Sequence, residues 1–441
     1  MTIHSKAVLA DLLTPVSAYL RVAGDSPRSF LLESVEGGEK VGRYSFIGVD
    51  PGRTFRGSFH DFRESFPADR EPHPDLPPFT GGAVGSFAYE MVHEFERLPL
   101  SEGSLPPPVE VDFYSTILAF DHVLHRIVIM SREGTARVNE LESLLRREPP
   151  SSAGRAAPSG TNGPPLSPRF NFKPGEFESA VSRAKEYVRA GDIFQVVLSQ
   201  RFEVDYEGNP FNAYRALRYI NPSPYMFFLK RGDAAVAGAS PEMLIRVHDR
   251  ELEYRPIAGT RHRGANARED RLLEEELLAD PKERAEHLML VDLGRNDLGR
   301  VSQYGEVKVE DLMFVEKYSH VMHLVSSLRG RLRPELDRFD ALQAAFPAGT
   351  VTGAPKVRAM EIISELEPCP RGIYSGAIGY LDESGNLDTC IAIRTMVLQE
   401  GKAIFQAGAG IVADSVPNLE NQECHNKAQV LLKALEMAGD I

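Results

Sequence analysis

The 441-residue chain has no tryptophan, three cysteines and no apolar run that approaches membrane-spanning length. Cys369, Cys390 and Cys424 are too few and too scattered for a disulfide framework or a cysteine-ligated zinc site. That usage fits a reducing compartment, and the expected location is the cytoplasm. The first residues, MTIHSKAVLADLL, show no signal-peptide pattern. Positive charge is also short: 50 Lys and Arg against 63 Asp and Glu give a formal net charge of -13, with no basic stripe to offset it. This argues against a nucleic-acid binder. Any anionic ligand has to be captured by local cations, because the overall field repels it. The missing tryptophan by itself excludes nothing.

What remains is the composition of an ordinary globular protein, 42% hydrophobic and 26% charged. The length exceeds the usual limit of one core, so two domains or one large composite domain are expected. Residues 1–147 read as strands joined by short loops: 29–34, 43–48, 82–89, 113–120 and 123–130, closed by a helix at 136–147. The stretch 148–168, EPPSSAGRAAPSGTNGPPLSP, has nothing to bury and reads as a linker. Residues 169–441 alternate helices (174–190, 210–219, 267–279, 281–293, 337–346, 355–365, 417–438) with strands (193–204, 221–230, 234–239, 244–248, 306–328, 374–382, 388–398, 403–409). Consecutive strands with tight turns favour an α+β fold of antiparallel sheets flanked by helices.

One stretch concentrates chemistry. In DPKERAEHLMLVDLGRNDLG, Asp280 and Pro281 read as an N-cap followed by the residue favoured at the first helical position. Glu283 reads as the capping-box acceptor, and Glu286 lies a turn further on the same face. The apolar density of Leu288 to Leu293 predicts a helix that enters a core, where a carboxylate must be paired, protonated or bound to a cation. The same spacing recurs at Glu420 and Glu423, with Asn426 and Lys427 close behind. Two helices each offering Glu-x-x-Glu can meet around one divalent ion, and oxygen ligands without cysteines favour Mg2+. From spacing alone the commoner arrangement is that Glu283 caps its own helix, Glu420 is solvated and the others form ion pairs, since Glu-x-x-Glu is common on helices.

Other signals are weaker. The loop at 255–264 gathers Arg255, Arg261 and Arg263, which suit a carboxylate clamp or a solvated basic turn. Residues 347–356, PAGTVTGAPK, have the glycines of a phosphate cradle but not the ending of a P-loop. Gly408-Ala-Gly-Ile-Val412 suits close backbone approach to a ligand or a tight bend. His320 and His323 fall on opposite faces of a strand-like run, where a lone histidine is more often structural than catalytic.

Taken together and in order, PIAGTRHRG, DPKERAEHLMLVDLGRND, YSHVMHL, FPAGTVTGAPK, GIYSGAIGY, IAIRT, GAGIV and ENQECHNK resemble the chorismate-utilising enzymes, above all the anthranilate-forming ones, from about residue 10 to 436. The resemblance implies an αββα sandwich of large antiparallel sheets and a Mg2+-dependent lyase converting chorismate and ammonia to anthranilate and pyruvate. Water-adding members carry a lysine where this chain has Gln195, which cannot serve as that base. Members that aminate the 4-position have a nucleophilic lysine where this chain has Ala258. By the same resemblance, Glu286 and Glu423 are implied as Mg2+ ligands, with Glu283 and Glu420 holding metal-bound waters. Arg394, Tyr374 and the Gly408, Ala409 and Gly410 backbone are implied to hold the enolpyruvyl carboxylate, with Gly259, Thr260 and Thr350 lining the pocket. Glu242 matches the acid that protonates the departing 4-hydroxyl, His323 the histidine of the later proton transfer, and Lys427 a further contact to the anionic substrate. Ser34, Arg43, Pro224, Tyr225 and Met226 match a tryptophan pocket for feedback inhibition. His262 stands where the family usually has proline. No glutaminase domain is evident, so a separate glutamine amidotransferase subunit is the implied partner. The rival readings are a 4-amino-forming relative of the folate branch and a non-catalytic tryptophan sensor.

Overall fold

The computed structural model describes residues 2–24, 26–35, 42–99, 105–148, 166–318 and 321–441. His320 and most of the 148–168 linker lie outside these residues. Two sheets dominate. The larger has 12 strands, running in space from His4–Leu9 through Arg126–Ser131, Thr116–Asp121, Tyr44–Val49 and Arg28–Glu33 to Tyr225–Arg231, Ala234–Ser240, Thr395–Gln399, Lys402–Ile411, Gln195–Asp205 and Gly353–Ala354, with Arg169–Phe170 on Gln195–Asp205. The second has 10 strands and runs from Ile257–His262 through Val321–Arg331, Glu251–Tyr254, Met243–His248 and Leu387–Ile391 to Ala377–Asp382, Gly82–Phe87, Val109–Tyr114 and Arg53–Gly57. Its tenth strand, Lys308–Lys317, pairs with Val321–Arg331.

Strand alternation explains the layering. Phe30, Phe46 and Phe227 point between the sheets, where they meet Val84, Ile378 and Tyr380 of the second sheet. Their neighbours Leu31, Ile47 and Phe228 point the other way, into a cluster with Tyr19, Tyr214 and Leu431 from flanking helices. On the outer face of the second sheet, Phe62, Val291 and Leu342 bring helices Phe59–Ser65, Pro281–Gly299 and Arg338–Ala345 against Val247 and Leu252. The result is the expected α+β arrangement of helix, sheet, sheet and helix. Sequence positions on both sides of 148–168 enter both sheets: Leu31 pairs with Phe228 in one, and Gly85 with Gly379 in the other. That boundary divides the sequence but not the sheets.

Several elements differ from their sequence reading. The strand expected at 113–120 is two strands, broken at Ser115. The arginine-rich loop at 255–264 is largely strand, Ile257–His262, with a bulge between Ala258 and Thr260. The run at 388–398 divides into Leu387–Ile391 and Thr395–Gln399, and Arg394 between them adopts a φ of 49°. Strands His4–Leu9, Arg53–Gly57 and Glu251–Tyr254 and helices Pro15–Ala23 and Phe59–Ser65 had no sequence expectation. The first of these strands is almost wholly exposed and so has no inward face to mark it.

Candidate active site

The Pro281–Gly299 helix begins as its sequence implies, Asp280 accepting from the N–H groups of Lys282 (2.9 Å) and Glu283 (3.2 Å). Two details differ. Glu283 does not complete a capping box; its carboxylate accepts from Arg261 at 3.2 Å. The helix also buries a stripe rather than its whole circumference: His287, Leu290, Val291, Gly294 and Asp297 face inward while Leu288 is exposed. His287, fully buried, hydrogen-bonds Ser326 at 2.6 Å and ties the helix to Val321–Arg331, and burial lowers its pKa to about 4. Near the far end, Lys356 pairs with the buried Asp297 at 2.8 Å. Lys356, the basic residue of the glycine-rich 347–356 stretch, is therefore committed to Asp297 and not to a phosphate. Gly349, in the same stretch, lets Leu293 approach so closely that an added Cβ would lie 1.7 Å from it. The turn that carries Thr350 is thereby seated on the helix that carries Glu283 and Glu286.

The start of this helix and the Thr350 turn border a cavity of about 780 Å3. Its lining includes Glu242, Gly259, Thr260, Glu283, Glu286, His323, Thr350, Tyr374, Arg394, Gly408, Gly410, Glu420, Glu423 and Lys427, so the separate sequence segments do converge. Ala409 is the exception. It alternates to the opposite face of its strand and packs with Phe177, Leu198 and Ile363. The two residues that separate the family's chemistries, Gln195 and Ala258, also line the cavity. Gly410 makes room for the former: a Cβ there would lie 2.5 Å from the Gln195 amide nitrogen.

One end of the cavity is acidic. Burial raises the pKa of Glu286, Glu283 and Glu423 add to the rise, and the Gln195 amide, 3.5 Å away, works against it. Glu420 is raised by burial and by Glu423, opposed by Ser415, Lys282 and Lys427. Glu423 pairs with Lys427 at 2.7 Å, and Lys427 also donates to the Gly408 carbonyl at 2.9 Å. Neither Glu286 nor Glu420 has an ion pair among the described residues. Hard oxygen donors with uncompensated charge fit a divalent cation, although no three His, Cys, Asp or Glu side chains among the described residues form a metal cluster by themselves. Mg2+ commonly takes one or two protein carboxylates and completes its shell with water or substrate oxygens.

The other features are a cation, an acid and an imidazole. Arg394 reaches the cavity, burial lowers its pKa, and its guanidinium donates to Asn221 Oδ1 at 3.3 Å. Burial pushes the Glu242 carboxyl up to about 8. The Thr350 hydroxyl lies near enough to oppose that rise and is buried without a hydrogen-bond partner among the described residues. His323 places Nδ1 3.0 Å from the Gly259 carbonyl and 3.1 Å from Thr260 Oγ1, and burial followed by the charge of Arg394 lowers its pKa. Gly259 adopts a φ of 61° at the bulge, a conformation that favours glycine and turns its carbonyl to the imidazole.

One expectation changes, and two further residues find their places. Arg255, Arg261 and Arg263 do not clamp a ligand, because each is paired with acidic residues: Glu316 for Arg255, Glu276, Asp280 and Glu283 for Arg261, and Asp270 for Arg263. Lys282 lines the cavity without having been foreseen; it is exposed, at the first turn of its helix, and no lysine stands at 258. His262 is exposed at a strand end and is not part of the lining.

A second cavity, of about 60 Å3, lies between the sheets and includes Ser34, Pro224, Tyr225 and Met226. Arg43 lines an adjoining cavity of about 360 Å3 instead, its guanidinium 3.2 Å from Asp121. Tyr44, Phe46, Arg246, Tyr380 and Asp388 are common to both.

Comparison with known proteins agrees with this arrangement. Residues 28–433 match the chorismate binding enzyme family. Anthranilate synthase component 1 of Acetivibrio thermocellus is 48% identical, covering 98% of this chain and 95% of that protein. The protein of the same name from Thermus thermophilus is 47% identical, covering 99% and 98%. The crystal structure of anthranilate synthase component I from Streptococcus pneumoniae superposes with a TM-score of 0.78 at 38% identity, covering 96% of this chain and 99% of that one. The menaquinone-specific isochorismate synthase of Escherichia coli shares the fold, with a TM-score of 0.76 at 20% identity.

Proposed function

The chain belongs to the chorismate binding enzymes, and from that premise we propose that it converts chorismate and ammonia to anthranilate, pyruvate and water. The observation that carries this reading is a cavity with four glutamates at one end and the Arg394 guanidinium in the same lining, beside Gln195 and Ala258. Chorismate carries two carboxylates. Glu286 and Glu423 would hold a Mg2+ ion, with Glu283 and Glu420 around its waters; when bound, the ion supplies positive charge for the ring carboxylate. Arg394 and the Gly408 to Gly410 backbone bind the enolpyruvyl carboxylate, with Tyr374 beside them. Glu242, still protonated at neutral pH, gives its proton to the leaving 4-hydroxyl as ammonia adds to the ring. His323 then carries the ring proton as pyruvate leaves and the ring becomes aromatic. Ala258 offers no amine for covalent addition, Gln195 offers no base for water, and Lys427 is engaged by Glu423 and the Gly408 carbonyl.

The chain alone is read as using ammonium, with glutamine use requiring a separate amidotransferase subunit. The cavities between the sheets are read as a tryptophan site for feedback inhibition of the branch that anthranilate opens. The deciding experiment incubates the purified chain with chorismate, ammonium and Mg2+ and identifies the product by fluorescence and mass. Anthranilate is expected. A 4-amino product would assign the chain to the folate branch instead, and no product with intact tryptophan binding would make it a sensor.

A further inference from the structure

Several buried or half-buried arginines among the described residues are held by carboxylates. Arg371 pairs with Glu367 at 2.6 Å, Arg231 with Glu110 at 3.2 Å, Arg246 with Asp388 at 2.9 Å and Arg338 with Asp69 at 2.7 Å. Arg394 differs. Among the described residues its guanidinium has one hydrogen-bond partner, the neutral side-chain oxygen of Asn221 at 3.3 Å, and no ion pair. The amide is itself fixed: Asn221 Nδ2 donates to Ser223 Oγ at 3.1 Å, and that hydroxyl donates to the Asn221 carbonyl at 3.2 Å. Ser223 is 1% exposed. The Asn221 N–H, for its part, donates to Leu217 at the end of helix Pro210–Ile220. Every polar group of Asn221 is thus engaged in a way that leaves Oδ1 turned toward Arg394.

We propose that Asn221 is a positioning residue that presents the Arg394 guanidinium to an incoming carboxylate without neutralising it. An aspartate there would hold the arginine more firmly but would occupy the charge that a substrate anion needs, as charge-assisted pairs are the stronger ones. An aliphatic residue would leave the charge free but unaligned. The amide does neither. This inference rests on reading the cavity as a chorismate site, and it concerns substrate capture rather than the chemical step.

The test compares the wild-type chain with Asn221→Asp, which keeps the shape, and Asn221→Ala, which removes the partner. Each is assayed with chorismate, ammonium and Mg2+, and circular dichroism melting confirms the fold. Asn221→Asp is expected to raise KM for chorismate by about tenfold or more, leaving kcat and KM for ammonium within about threefold. Asn221→Ala is expected to raise the same KM by about fivefold, which keeps the test open if Asn221→Asp does not fold. A merely structural asparagine predicts a near-normal chorismate KM for the isosteric aspartate. That result, or equal losses of kcat in both variants at unchanged KM, overturns the proposal while wild-type turnover leaves the chorismate reading standing. No product from the wild type would overturn that reading and the proposal with it.

Discussion

Nδ1 of His323 lies 3.0 Å from the carbonyl oxygen of Gly259. A carbonyl can only accept, so Nδ1 carries the proton and, in the neutral ring, Nε2 is the free base. Burial and Arg394 hold the imidazole below its usual 6.5, while burial holds Glu242 near 8. Neutral His323 and protonated Glu242 therefore coexist between those values. We expect a bell-shaped kcat/KM profile whose acid limb lies below pH 6.5 and whose alkaline limb lies near pH 8. Glu242→Gln should lower kcat by about 100- to 10,000-fold.

The same shift fixes a sign for stability. Between the usual 4.5 and about 8, folded Glu242 keeps a proton that the unfolded chain has lost. Its contribution to stability is complete below pH 4.5 and declines as pH rises to about 8. The melting temperature of Glu242→Gln relative to wild type should therefore climb across that interval and level off above it.

If Glu286 and Glu423 hold Mg2+, chelation should abolish turnover and leave the fold in place. Adding Mg2+ with chorismate should raise the melting temperature of the wild type and not of Glu286→Gln. An unchanged response in that variant would count against the assignment.

Lys356 and Asp297 form an ion pair 2.8 Å long, with side-chain exposures of 13% and 3%. Removing one charge strands the other, so Lys356→Met should cost about 3–5 kcal/mol in denaturant unfolding. The double variant Lys356→Met, Asp297→Leu should recover much of that loss. Activity should fall with Lys356→Met as well, since the Thr350 turn lies just before this lysine and rests on the same helix.

The sequence made the acidic ends of two helices legible because Glu-x-x-Glu and an Asp-Pro start are local patterns. It misled at 255–264, where the local composition of glycine and arginine suggests a loop. Pairing with Val321–Arg331, some 60 positions away, makes it a strand and assigns its arginines to acidic neighbours. The Asn221 contact with Arg394 was out of reach for the same reason: neither residue's surroundings name the other. Ala409 is read with its glycine neighbours for its backbone, and strand alternation sends its side chain to the opposite face without altering that reading. Lys282 directly precedes Glu283 in the sequence, and that adjacency is the local cue to its place in the lining.

Leu31 faces Phe228 and Gly85 faces Gly379 across strand pairs whose members come from opposite sides of residues 148–168. Neither portion of the polypeptide closes a sheet without its counterpart. Exchanging one portion with a distant relative would therefore demand matching edges on two seams at once, which ties the evolution of the crevice between the sheets to that of the glutamate-lined cavity.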